Sequence, residues 1–180
     1  MASHHSEMQI TRSAGNSQTI GDLEYFDHIK KINDVFYDQI KLSDQKAAYI
    51  FTFMMALLVT SKDVKAAFTA AHYIDSDVVT IIASACLAIS STLTMLFAVF
   101  AVAPRHVPKS TSLFWGNWTS QREDFRRAAQ ERNVGYLFEQ YLANADVLST
   151  IARTKFRFVK FAFLGMMATV LSYVFALIIF

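Results

Sequence analysis

Apolar residues along this chain are bunched into three runs separated by polar stretches. Val78 to Ala103 is 26 residues without a charge, and Phe161 to Phe180 is another 20. At 1.5 Å rise per residue these reach roughly 39 and 30 Å against the ~30 Å hydrocarbon core of a bilayer, so each predicts a membrane-spanning helix. The remaining run, Ala47 to Ser61, has 15 residues and reaches only about 22 Å. Lys46 and Lys62 flank it, and lysine stems that reach the headgroups lengthen a span. It reads as a short first span, with a re-entrant or interfacial helix as the competing reading.

The polar stretches carry patterns of their own. Residues 1–20 are rich in Ser, Thr, Asn and Gln with few apolar positions, which predicts a disordered tail. Asp22 is a candidate helix cap. Behind it Tyr25, Ile29, Ile32, Phe36 and Ile40 recur at three- and four-residue spacing, one face of a helix. No proline or glycine interrupts 22–61, so this helix is expected to run into the first span. Helical pattern resumes at Gln121. Gly135 permits a bend, and Leu137, Tyr141, Ala145, Leu148 and Ala152 make one face. Nothing between Tyr136 and Lys160 breaks a helix, so it too is expected to continue into its span. The predicted fold is therefore all-α, with three transmembrane helices and long cytosolic extensions of the first and third. The layout is a cytosolic helix 22–46, span 47–61, external loop 62–77, span 78–103, cytosolic loop and helix 104–160, and span 161–180. Sensing at one end of such rods can be carried into rearrangement of the spans.

Composition sharpens this picture. The chain is 53% hydrophobic and only 18% charged, too few charges for an ordinary soluble domain. Lysine and arginine set the direction. The 62–77 loop holds two lysines against Asp63, Asp75 and Asp77, whereas Arg105 and Lys109 follow the second span and Arg153, Lys155, Arg157 and Lys160 precede the third. That asymmetry puts 104–160 and the N-terminus on the cytoplasmic side of the membrane, and Phe180 at the outer face. The first apolar run begins 47 residues in, after many acidic residues, so no secretory leader is expected.

Within the spans, small residues offer close packing, the main glue between helices in lipid. They are Ala48, Thr52, Ala56 and Thr60 in the first span; Ser84, Ala88 and Thr92 in the second; Gly165, Thr169, Ser172 and Ala176 in the third. These faces fit a bundle and a homo-oligomer, though packing within one protomer would use them equally. No Asp, Glu, Lys, Arg or His lies inside a span, which argues against a dedicated proton or ion relay.

Catalytic and metal motifs are missing. There is no HExxH, CxxC, GxSxG or glycine-rich phosphate loop, the histidines are scattered, and Cys86 is single. No enzyme activity, metal or cofactor is expected. One charged constellation remains: Asp44 and Lys46 at the mouth of the first span, with Arg153, Lys155, Arg157 and Lys160 at that of the third. Such a ring can hold a phosphate, or anchor lipid headgroups and fix topology. Trp115 and Trp118 admit three readings: interfacial anchors, packing against the cytosolic helices, or a stacking platform for a ligand.

Three short segments in order carry a family resemblance: Asp44-Gln45-Lys46-Ala47 opening the first span, Phe114-Trp115-Gly116 after the second, and Ile151-Ala152-Arg153-Thr154-Lys155-Phe156-Arg157 before a terminal span. Together they resemble the Pycsar transmembrane effectors of bacterial anti-phage defence, over about residues 22–180. The resemblance implies that a partner cyclase makes cyclic UMP or cyclic CMP on infection, and that the effector responds by impairing the inner membrane and arresting growth. The ligand is then a cyclic nucleotide and not a nucleic acid polymer. No cyclic-nucleotide-binding domain is recognisable, so recognition falls to the helices and span mouths. The phosphate would meet Arg153, Lys155 or Arg157, with Asp44 and Lys46 beside them, and the base would meet Trp115 or Asn117. The alternative is a scaffolding membrane protein whose faces at 25–40 and 137–152 recruit a cytosolic partner.

Overall fold

Alternating three- and four-residue spacing organises the helices. In the computed structural model, which describes residues 3–74, 77–104, 111–113 and 116–179 (side-chain surroundings from 23 to 178), five α-helices follow one another. They are α1 (Ser3–Thr60), α2 (Lys62–Ala66), α3 (Val78–Val102), α4 (Trp118–Gln130) and α5 (Val134–Ile179), with a 3-10 turn at Ala70–Tyr73. Helix α5 is unbroken from 134 to 179, as the lack of breakers predicts. Helix α1 begins at Ser3 rather than at Asp22, where the polar composition predicts a tail up to residue 20. The physical reason is that 3–21 holds no proline, and extending an existing helix avoids the unfavourable nucleation step.

The chain divides into two units, Met1–Tyr37 with Val107–Ser149 and Asp38–His106 with Thr150–Phe180. In the second, α1, α3 and α5 supply the core. Buried positions on α1 are Ser43, Ala47, Ile50 and Met54; on α3, Leu87, Ser91, Thr94, Ala98 and Ala101; on α5, Ala152, Lys155, Val159, Ala162, Thr169 and Ala176. Apolar positions at this spacing hold one face toward neighbouring helices over many turns. Ile50, Met54, Ala98 and Ala162 form one cluster, and Ala47, Ala101 and Val159 another. Approach is closest at Gly165, where an added Cβ would lie 2.5 Å from Thr94 Oγ1. Thr169 Oγ1 donates to Ser90 Oγ at 3.1 Å, linking α5 to α3. The small stripe of α1 takes no part in packing within the chain, since Ala48, Thr52, Ala56 and Thr60 are all exposed. A strict four-residue step overshoots a turn by about 40°, so such a stripe winds off the packing face.

The outward faces of these helices are apolar too. Leu93, Leu96, Val99, Phe100, Phe163, Leu164, Leu171 and Phe175 are exposed. Helices α3 and α5 are long and apolar enough to cross a membrane, yet only 28% and 17% of their most apolar windows are buried. The core helix of a soluble protein would be largely covered, so apolar surface on this scale fits lipid rather than water. The apolar stretch of α1 is shorter and is diluted by Asp44 and Lys46, so it does not reach that length. Ser61 ends the helical run and restarts it, its Oγ accepting from Val64 N at 3.3 Å to cap α2. Val64 and Ala67 then pack on Leu87 of α3, and Tyr73 O–H donates to the Ala67 carbonyl at 2.6 Å.

In the first unit, Phe26 meets Tyr141 edge to face with ring centroids 5.6 Å apart. Ile29 is buried, whereas Tyr25, which the stripe places inside, is 72% exposed. Asn33 occupies the seam instead. Its Nδ2 donates to the carbonyls of Ile29 (2.8 Å) and Tyr141 (3.0 Å), and its Oδ1 accepts from Asn144 Nδ2 at 2.7 Å. Thr111 Oγ1 donates to Asn144 Oδ1 at 3.1 Å, and Ser112 N and Oγ both donate to Gln140 Oε1. The bend expected at Gly135 lies earlier, since Gly135 is inside α5. Arg132 takes a left-handed φ of 52°. Asn133 N then donates to Ala128 O, and Arg132 N to Ala129 O, which closes α4 as a Schellman turn. Asn133 Oδ1 accepts from Tyr136 N at 3.1 Å and caps α5. Capping chemistry, not glycine, makes this corner.

Candidate functional site

Among the described residues, the charged mouth of the second unit contains one ion pair, buried at its lysine end. Lys155 follows Ala152 and precedes Val159 on the buried face of α5, so its stem is packed and its side chain is 7% exposed. Its Nζ reaches Asp44 Oδ1 on α1 at 2.5 Å, and the Asp44 side chain keeps 35% exposure. One residue before Asp44, Ser43 is fully buried, and its Oγ has no hydrogen-bond partner among the described residues. A buried hydroxyl without a partner costs about 1–3 kcal/mol. This level of the helix bundle is therefore polar and incompletely satisfied, between tightly packed alanines above and below.

The remaining predicted residues separate from this pair. Arg153 and Arg157, one turn apart, are exposed on the opposite side of α5 from Lys155. At about 100° per residue a helix cannot point 153, 155 and 157 at one spot, so the predicted ring resolves into a buried lysine and two solvent-facing arginines. Lys46 is exposed, with Nζ 5.9 Å from the centroid of the Phe156 ring. Lys46 and Lys160 share a groove of about 550 Å³ with Tyr49, Ile50, Phe163 and Met166. Asn117 belongs to the first unit and accepts from Ser120 Oγ at 2.6 Å through its Oδ1, ahead of α4. Trp118 lies against Phe125 of its own helix, ring centroids 5.7 Å apart. Phe114, Trp115, Arg105 and Lys109 lie outside the described residues.

Among the described residues no group of His, Cys, Asp or Glu could hold a metal ion. Two features escaped sequence reasoning: the buried Asn33–Asn144 clasp and the seam position of Lys155. The second has a readable signal, because Ala152, Lys155, Val159 and Ala162 continue the three-four alternation of the apolar face.

Two lipid-compatible helices, α3 and α5, packed through small residues and with an ion pair joining α5 to α1, define an all-helical membrane protein over the described residues. The model of the Pycsar effector protein domain matches residues 28–180, and the chain belongs to that family. It is thereby an anti-phage defence effector, and its two apolar helices locate it at a membrane. No curated protein and no solved structure matches the chain.

Proposed function

We propose that this effector answers a cyclic pyrimidine mononucleotide, cyclic UMP or cyclic CMP from a partner cyclase, by oligomerising and impairing the bacterial inner membrane so that growth stops. The observation that carries the reading is the buried Lys155–Asp44 pair at the polar end of a membrane bundle in a chain of this family. Three helices cross the bilayer in this reading. The first is α1, its short run lengthened by snorkelling of Lys46 and Lys62, with the N-terminus cytoplasmic, 62–77 outside and the C-terminus at the outer face.

Arg153 and Arg157 present two guanidinium forks to the ligand's phosphate, the geometry arginine offers best. A phosphate held on that outer face does not touch Lys155, and it acts on the Lys155–Asp44 pair by turning α5 as a rigid helix. Once the pair opens, α1 and α5 lose the contact that fixes them at this level. Converting a 1:99 equilibrium to 99:1 takes about 5.5 kcal/mol of differential binding. Two charge-assisted phosphate contacts at about 1.5–3 kcal/mol each are of that order.

The test is a voltage-sensitive dye in cells expressing the chain with an active cyclase. Depolarisation on cyclase induction is expected, and Arg153→Gln/Arg157→Gln should abolish it. Intact membrane potential with both cyclic UMP and cyclic CMP present would overturn the reading. A scaffold role has one observation in its favour, an open apolar groove of about 820 Å³ in the first unit with Leu23, Phe26, Leu137 and Phe138 on its walls. Calorimetry without nucleotide binding, with a helical partner recovered on pull-down, would favour it.

A further inference from the structure

The groove between α1 and α5 in the second unit has a composition that the phosphate-and-base reading does not use. Its walls are apolar, from Ile50, Val159, Phe163 and Met166, and its rim holds Lys46 and Lys160. Both lysines are exposed, and neither has a carboxylate partner among the described residues. Each is also the last charged residue before an apolar run, Lys46 before 47–60 and Lys160 before 161–179. Two independent polar-to-apolar borders in the sequence thus meet at the mouth of one groove. Such a border is where headgroups sit, and basic pockets between membrane helices on the cytoplasmic side recognise anionic headgroups. The cavity of about 550 Å³ falls within the ~300–1,000 Å³ of small-molecule sites.

We propose that this groove binds one anionic glycerophospholipid, its phosphate between Lys46 and Lys160 and one acyl chain lying along Ile50, Phe163 and Met166. Charge complementarity selects an anion, and the apolar walls select a lipid over a free phosphate. Phe156 holds Lys46 at the rim through its ring face. Lys155 takes no part, since Asp44 already occupies it. The occupant bridges α1 and α5 from the lipid side and ties that contact to membrane composition. The inference rests on the bilayer reading of these helices and not on the nucleotide response, so lipid retention and depolarisation are scored separately.

The experiment uses the full chain, purified in mild detergent and examined by native mass spectrometry after exchange with defined lipids. Retention of one phosphatidylglycerol per chain is expected, with phosphatidylcholine of the same acyl chains at least tenfold weaker. Each of Lys46→Gln and Lys160→Gln should weaken retention about fivefold, which is ~1 kcal/mol per basic residue at 1.4 kcal/mol per decade. Both positions are exposed, and an unchanged helical circular dichroism spectrum verifies the fold. Met166→Trp narrows the groove without touching either lysine and should also lower retention. Millimolar inorganic phosphate should leave the lipid in place. Equal retention of the two lipids, displacement by phosphate alone, or full retention in the folded double lysine variant would each overturn the proposal.

Discussion

Removing either partner of the Lys155–Asp44 pair should have very unequal consequences, because the two ends are buried unequally. Asp44→Ala leaves an ammonium that is 7% exposed and wedged between Ala152 and Val159, with no other carboxylate in contact among the described residues. Breaking a buried pair this way costs about 3–5 kcal/mol. The 35% exposure of Asp44 means water already screens the pair, which places the expectation at the lower end, ~3 kcal/mol. At 1.4 kcal/mol per decade that raises the unfolded fraction by about two orders of magnitude. Lys155→Met reverses the situation. The carboxylate left behind can turn to water, and a methionine of similar length fills the packed slot, so the loss should stay within ~1 kcal/mol. In Asp44→Ala/Lys155→Met no charge is stranded, and stability should again lie within ~1 kcal/mol of the parent, giving a coupling of about 3 kcal/mol. Reversible unfolding of the full chain in mixed micelles, followed by helical circular dichroism, reads all three. The reasoning fails if Lys155→Met costs as much as Asp44→Ala, or if the double variant is no better than Asp44→Ala alone.

Three further outcomes follow from the packing. Asn33→Leu should cost about 1–3 kcal/mol by leaving Asn144 Nδ2 without its acceptor, while Asn33→Leu/Asn144→Leu recovers most of it; poorer amide protection around 29–33 and 141–145 in the double variant would show the clasp setting register. Gly165→Ala drives a methyl to 2.5 Å from Thr94 Oγ1, an overpacking cost of about 1–3 kcal/mol against a helix-propensity gain of ~1. In a Thr94→Ala background the gain alone remains, so melting temperatures should show the same change stabilising there. Arg132→Gly should stabilise the chain by about 1 kcal/mol, since glycine accepts the left-handed φ of 52° at no steric cost; a lower melting temperature would refute that corner.

How far the sequence could be read depended on whether a feature lives in composition or in angular position. Helices α3 and α5 are legible because length and the lack of charge suffice, and their continuity because no breaker intervenes. The face of α1 was not legible from its small residues. Ala48, Thr52, Ala56 and Thr60 look like a packing stripe, but a constant step of four rotates steadily, and the bulkier Ile50 and Met54 fill the seam instead. Asn33 was hidden for a related reason: a polar residue in an apolar stripe reads as an interruption until its partner Asn144, 111 residues away, is seen opposite. The Arg132 corner carries no glycine and could not be placed from turn statistics.

The charged mouth repeats the lesson where it matters for function. Four cations between 153 and 160 read as one ring in a linear sequence, yet helical rotation gives them three environments. Arg153 and Arg157 face solvent, Lys160 borders an apolar groove, and Lys155 sits in the seam paired with Asp44. A bundle selected for stability alone would put an apolar residue at 155, since replacing a buried ion pair by well-packed apolar groups is often neutral or stabilising. Under the proposed response, the charge is understood by what it permits: a helix contact that a turn of α5 can break. That is the kind of contact a charged ligand can alter and an apolar seam would not offer.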